Sequence, residues 1–110
     1  MMREPTLGRS AEYADNRISL FFAQYGKCAV TGKPFHNSEE VHCHHRVPRH
    51  KGGTDKYSNL VLVNDQVHRL LHATKEETLK FYMDLLKLSK PQMQKLNRLR
   101  DAAGLTPITA

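Results

Sequence analysis

The sequence has no tryptophan, only two cysteines and no long apolar run. A structural zinc site needs four protein ligands, so two thiols exclude a site built from four cysteines. No apolar segment is long enough to span a membrane, and residues 1–10 are too polar for a secretion signal. Without such a signal, Cys28 and Cys43 are expected to be reduced thiols rather than a disulfide. We therefore expect a cytoplasmic protein with no membrane association, whose fold depends on apolar packing.

Acidic residues are also few relative to basic ones. The chain has 17 Lys and Arg against 11 Asp and Glu, which gives a formal charge of +6 and a pI of about 9.6. This excess favours a polyanionic partner, because Lys and Arg that neutralise phosphates release counterions. A requirement for solubility produces the same excess, so charge alone does not identify the partner. The length fits a single domain, residues 1–110, with a modest core.

Histidine is the residue type that the sequence concentrates in one place. Five of the 7 histidines lie within residues 42–72, at spacings that suit one metal site: His42, His44, His45, His68 and His72. His50 falls in a connecting loop and His36 lies outside the stretch, and neither is predicted to be a ligand. We expect the chemistry of the protein to lie in this stretch.

The residues around these histidines predict two strands and a helix. Residues 41–47 alternate in character and end at Pro48, which has no backbone donor. Gly52-Gly53 marks the turn in a polar loop, and residues 60–63 form an apolar run typical of a strand. A short helix follows, capped by the Asn or Asp at positions 64 and 65 and running to residue 72.

These elements divide the histidines into sets. His68 and His72 are four residues apart on the predicted helix, so they point the same way. His44 and His45 are neighbours on the first strand, so they point to opposite faces and cannot share a role.

The ordered set His44-His45, Asn59 and His68 resembles the His-Asn-His (HNH) endonuclease motif, which lies on the fold called ββα-metal. His72 adds the H-x-x-x-H helix of the colicin-type DNases in this family. Residues 16–108 also resemble the endonuclease domain at the C-terminus of group II intron reverse transcriptases. The segments CAVTGKPF, HCHH, GGTDKYSNLVLV, VHRLLHAT and KLNRLR carry that second resemblance.

The resemblance implies an α+β fold with a ββα-metal core at residues 41–73 and helices on both sides. Residues 13–25 are predicted to form an amphipathic helix that ends at Gly26 and packs beneath the core. Its predicted apolar stripe consists of Ile18, Leu20, Phe21, Phe22 and Tyr25. Residues 27–35 are predicted to form a hairpin. Many relatives carry half of a zinc knuckle, Cys-x-x-Cys, at this hairpin, but Thr31 occupies the second position here.

Two further helices are predicted within residues 74–104. Thr74 and Glu77 form a capping-box pattern for the first, Ser89 caps the second, and Gly104 ends it. The second helix carries four basic side chains that form either a solvated face or a contact with DNA phosphates: Lys90, Lys95, Arg98 and Arg100.

The resemblance also implies a role for each site residue in a metal-dependent DNA endonuclease. His45 is the general base, and Asn59 holds the loop and orients that base. His44, His68 and His72 bind one divalent metal ion, with Mn²⁺ favoured and Mg²⁺ possible. For His72 the alternative is a supporting hydrogen bond at the helix end, and His42 is either a supporting residue or simply exposed. The predicted contacts with DNA are Arg46, Arg49, Lys51 and Arg69.

We expect a monomer that nicks one strand per event with low sequence specificity, although a dimer is possible. The alternative function is a non-catalytic zinc module that binds nucleic acid through Cys28, Cys43, His68 and His72, but fingers place their cysteines closer together. The chain is expected to be either a free-standing endonuclease, which Met1 and the short N-terminal arm fit, or a remnant of an intron-encoded protein.

Overall fold

The computed structural model describes residues 11–108. Within them it has four helices and two strands: α1 (Ala11–Ala23), β1 (His42–His45), β2 (Leu60–Val63), α2 (Asp65–His72), α3 (Glu76–Leu86) and α4 (Lys90–Ala102). The strands are antiparallel, with His44 opposite Val61 and His45 opposite Leu60. The predicted α+β fold with a small ββα core is confirmed.

Both faces of strand β2 are buried, which accounts for the uninterrupted apolar run in its sequence. All four of its residues are buried, but alternate residues enter different parts of the core. Leu60 and Leu62 pack in a cluster with Tyr13 and Leu20 of α1. Val61 and Val63 pack in a larger cluster with residues of α2 and α4. The two-stranded sheet therefore has one face toward α1 and the other toward α2.

The register of the sheet decides where the paired histidines go. Directly opposed residues of an antiparallel pair lie on the same face. His44 is opposite Val61, so it shares the face that packs against α2. His45 is opposite Leu60, so it shares the face that packs against α1. The prediction that the two histidines point to opposite faces is confirmed.

The predicted helix ends are partly right. Asn64 caps α2, since its Oδ1 accepts from the Val67 backbone N at 2.7 Å. Ser89 forms a full capping box at the start of α4, and Gly104 follows its end with a φ of +84°. The capping box predicted at Thr74 is wrong, because α3 begins at Glu76 after Lys75 and has no side-chain cap.

Helix α1 packs on the ββα unit as predicted, but its predicted apolar stripe is largely exposed. Tyr13 and Leu20 are its buried residues. Ile18, Phe22 and Tyr25 are 60%, 72% and 84% exposed, because the helix contacts the sheet along one narrow line and ends before residue 25. The helix closes through Gly26, whose backbone N donates to the Phe21 carbonyl at 2.8 Å.

The predicted hairpin at residues 27–35 is present and leads into the core. Lys27 pairs with Pro34, and Gly32 in its turn has a φ of +71°. Cys28 and Val30 are buried in the cluster between the sheet, α2 and α4. No disulfide joins Cys28 to Cys43. Cys28 thus serves as a packing residue.

Among residues 11–108, no helix combines the length and the apolar character that a membrane span requires.

Candidate functional site

Three imidazoles meet where β1 faces α2. His44 projects from β1, while His68 and His72 project from successive turns of α2. One nitrogen from each ring can be chosen so that all three lie within 4.8 Å of one another. The Nε2 atoms of His68 and His72 are 3.2 Å apart. The structure therefore brings together the three residues predicted to bind a metal.

The local chemistry of this cluster fits a metal ion. His44 is 2% exposed, and its buried Nε2 has no hydrogen-bond partner among the described residues. A buried polar atom without a partner costs free energy, so an imidazole of this kind calls for a ligand. Three nitrogen donors suit a divalent transition ion and leave coordination positions open for water and substrate. His44, His68 and His72 thus form a site that a divalent ion fits.

The protonation of the three rings also favours metal binding. Burial, followed by the neighbouring imidazoles of His72 and His68, lowers the pKa of His44 to about 3. Burial, followed by the charge of His72, lowers the pKa of His68 to about 4. Burial and then the Arg100 guanidinium lower the pKa of His72. All three rings are neutral near pH 7, which is the form that binds metals.

These pKa shifts predict that the metal-free chain loses stability in mild acid. Unfolded histidine takes up a proton near pH 6.5, whereas folded His44 does so only near pH 3. Between these values the unfolded chain binds more protons, so lowering the pH favours unfolding. The contribution of His44 to the free energy of unfolding is fully present above pH 6.5. This contribution falls by roughly 1 kcal/mol per pH unit as the pH is lowered toward 3.

Urea unfolding with a chelator at pH 7, 6 and 5 measures this loss. His36→Ala, which removes an exposed imidazole outside the cluster, should show the same pH dependence as the wild type. A free energy of unfolding that does not change between pH 7 and pH 5 would contradict the prediction.

His45 lies on the other face of β1 in a different environment. Its Nε2 is 2.8 Å from Oδ1 of Asp55, a carboxylate that is buried in the loop between the strands. Its ring stacks on Tyr13 of α1, with centroids 5.6 Å apart and planes inclined by 13°. Asn16, one turn further along α1, donates its Nδ2 to the Asp55 carbonyl at 2.8 Å. The predicted general base is thus enclosed by the loop and α1.

Asn59 closes the loop that carries Asp55. Its Nδ2 donates to the carbonyls of Val47 and Thr54 at 3.1 and 2.8 Å, and its Oδ1 accepts from the Val47 backbone N at 2.9 Å. These bonds support the loop-holding part of the role predicted for Asn59. The contact with His45 comes from Asp55 instead, a residue that the sequence interpretation missed.

The predicted DNA contacts divide into two kinds. Arg46 and Arg69 are exposed. Arg49 pairs with the Asp55 carboxylate, and Lys51 Nζ donates to the Ala103 carbonyl at the end of α4 at 3.0 Å. Arg49 and Lys51 were predicted to contact DNA, and the structure shows that both also bind groups within the protein.

The remaining histidines lie outside the three-ring cluster. His42 stacks on His68, with centroids 4.9 Å apart and planes inclined by 22°, which matches the supporting position considered for it. His36 and His50 are exposed.

Arg100 corrects the idea that all four basic residues of α4 lie on a solvated or DNA-binding face. It is 3% exposed, and its Nη1 donates to the carbonyls of Leu70, Leu71 and Ala73 at the end of α2. The cation is used inside the protein, where the carbonyls at a helix C-terminus lack partners within the helix.

The cysteine and histidine set of the alternative zinc module is not assembled. Among residues 11–108, the one group of side chains placed so that it could hold a metal ion consists of three histidines and contains no cysteine. Cys28 is occupied in the apolar core.

The two sides of the site meet in one cleft. A cavity of about 450 Å³ is lined by His44, His45, His68 and His72, together with loop residues 48–51 and the end of α4. A group bound in this cavity would lie against the three-imidazole cluster and against His45 at the same time.

The comparisons with known proteins agree with this geometry. Residues 28–74 match the sequence model of the HNH endonuclease family. The match covers the hairpin, both strands and α2, which is somewhat under half of the chain. No curated protein and no solved structure matches the chain. The matched segment contains the three-histidine cluster, His45, Asp55 and Asn59, whereas Tyr13 and Arg100 lie outside it.

Proposed function

We propose that the chain is an HNH endonuclease that uses a divalent metal ion to hydrolyse DNA phosphodiester bonds. One observation carries the proposal: a single cleft is lined by a three-imidazole metal site and by a fourth imidazole held by a carboxylate. Phosphodiester hydrolysis needs both a cation and a base at one phosphate. The family match over residues 28–74 supports the same conclusion.

The three clustered histidines would hold the metal ion. When bound, the ion supplies positive charge that stabilises the transition state and the leaving oxygen. Nitrogen ligands with open positions for phosphate oxygen suit Mn²⁺, and Mg²⁺ is a weaker activator in this proposal.

His45 accepts the proton of the attacking water. Imidazole is the side chain most often used as a general base. His45 is on the sheet face away from the cluster, so it is free to act as a base while the other rings bind the ion. Asn59 keeps the loop closed around it.

Binding to DNA is proposed to be led by phosphate contacts. The net charge is +6, and Arg46 and Arg69 are exposed next to the cleft residues His45 and His68. Phosphate contacts carry no sequence information, so we propose low sequence specificity and strong dependence on salt. The likeness to group II intron endonuclease domains and a cytoplasmic location remain predictions from the sequence.

The outcome on the two strands follows from the number of centres. Residues 11–108 contain one three-imidazole cluster with one neighbouring base, which serves one scissile phosphate at a time. We therefore propose that a monomer nicks one strand per event. A dimer, which would bring a second centre, is the alternative.

A supercoiled plasmid incubated with a panel of divalent ions tests the proposed function. We expect cleavage with Mn²⁺, weaker cleavage with Mg²⁺ and none with chelator, with open circles appearing before linear DNA. His36→Ala should cleave as the wild type does, and His68→Ala should lose metal binding and cleavage together. Binding of the plasmid without cleavage in any metal would contradict the enzyme and favour a binding module. Linear DNA forming as fast as open circles would point to a concerted dimer.

A further inference from the structure

We propose that Asp55 is a positioning residue for His45, a role that rests on the proposed function. In this proposal the carboxylate holds the imidazole in the tautomer with the proton on Nε2. Nδ1 is then the nitrogen that accepts a proton from water.

The first support is the contact itself. Asp55 Oδ1 lies 2.8 Å from His45 Nε2. An ionised carboxylate only accepts hydrogen bonds, so the hydrogen of this bond belongs to the imidazole. A neutral imidazole carries one N–H, and a proton fixed on Nε2 leaves the lone pair on Nδ1.

The second support is that the carboxylate is itself held from several sides. Arg49 binds it through Nη2 at Oδ2 and through Nε at Oδ1, the latter at 3.3 Å. Asn16 holds the Asp55 main chain from α1. Asp55 is only 9% exposed, and a buried carboxylate persists where such partners compensate for lost hydration. The carboxylate is therefore a fixed point against which the imidazole can be oriented.

The third support is the stack on the other side of the ring. Tyr13 is buried, and its ring lies nearly parallel to that of His45. A hydrogen bond at Nε2 and a stacked ring together restrict both rotation and tilt of the imidazole. Helix α1 thereby takes part in the site, although it lies outside the segment that matches the HNH family.

A merely structural role for Asp55 would be to keep the loop closed through Arg49. The two roles differ in their dependence on His45. If Asp55 works through the imidazole, its replacement has no further effect on the rate once His45 is absent. If it only supports the fold, the two losses add.

The test compares Asp55→Asn in the wild-type chain and in the His45→Ala chain, by single-turnover nicking of plasmid. Asparagine keeps the shape, but its amide can donate to Nε2 and so favours the opposite tautomer. We expect kcat to fall about 10- to 100-fold, which is part of the contribution of a positioned base. The KM for DNA and the affinity for Mn²⁺ by calorimetry should stay within about twofold, and the His45→Ala chain should show no further loss. Asp84→Asn, an exposed site on α3 with the same change of charge, should match the wild type.

A second measurement does not need a folded variant or a cleavage assay. Nitrogen NMR of the full wild-type chain at pH 8 reports which nitrogen of His45 carries the proton. We expect Nε2–H. An Nδ1–H tautomer, an unchanged kcat in Asp55→Asn, or an additional loss in the His45→Ala chain would each overturn the positioning role. A wild-type chain that cleaves no DNA would instead overturn the proposed function, and the kinetic role of Asp55 with it.

Discussion

Replacing His45 with alanine is expected to slow plasmid cleavage by about 10²- to 10⁴-fold, the contribution of a well-placed general base. The affinity for Mn²⁺ should stay close to that of the wild type, because His45 lies on the opposite strand face from the three clustered imidazoles. Single-turnover nicking measures the first quantity, and calorimetry measures the second. The separation of rate from metal affinity is the expected signature of a base that does not ligate.

His68→Ala is the matched comparison. It also removes an imidazole that lines the cleft, but this imidazole belongs to the three-histidine cluster. It should lose metal affinity and cleavage together. If His45→Ala also weakened metal binding, His45 would be a ligand and the division of roles between the two strand faces would be wrong. Thermal melting of both variants checks that the loss is not one of folding.

Much of the fold could be predicted because its signals are local. The apolar run of β2, the alternation before Pro48 and the spacing of His68 and His72 each depend on a few neighbouring residues. These patterns follow the periods of strand and helix directly. The opposite orientations of His44 and His45 needed only the two-residue period of a strand.

The partners of the candidate base could not be predicted in the same way. Asp55 stands in a polar loop and is an ordinary turn residue in sequence terms. Its bond to Asn16 joins positions 39 residues apart, and Tyr13 reaches His45 across a similar distance in the chain. One signal was present, because a lone acidic residue in a loop rich in basic residues has several cations to pair with.

The exposed face of α1 shows the limit of periodicity. Ile18, Phe22 and Tyr25 follow a helical spacing, yet the buried contact runs along Tyr13 and Leu20. A pattern identifies which residues share a face, but the amount of surface that a two-stranded sheet can cover decides how many of them are buried.

Arg100 links the last helix to the helix that carries two of the clustered histidines. Its Nη1 lies 3.0, 3.2 and 2.9 Å from the carbonyls of Leu70, Leu71 and Ala73, and its Nε donates to the Thr106 carbonyl at 2.9 Å. The carbonyls at a helix C-terminus lack partners within the helix and carry partial negative charge, so a buried cation stabilises them. Burial lowers the pKa of Arg100 from its usual value.

Arg100→Ala is therefore expected to destabilise the chain by about 3–5 kcal/mol. It removes the donor to the Leu71 and Ala73 carbonyls, and it leaves the Leu70 carbonyl with only the 3.4 Å bond from the Ala73 backbone N. It should also weaken metal binding, since His72 lies at the helix end that Arg100 holds. Arg100→Lys keeps the charge but not the planar set of donors. Its free energy of unfolding and its affinity for Mn²⁺ should therefore lie between those of the wild type and those of Arg100→Ala. Urea unfolding and calorimetry with Mn²⁺ measure both effects.

Arg98→Ala, an exposed site on the same helix, should change stability by no more than about 0.5 kcal/mol. If Arg100→Ala unfolds at the same urea concentration as Arg98→Ala, these hydrogen bonds do not hold the end of α2 and the role assigned to Arg100 is wrong.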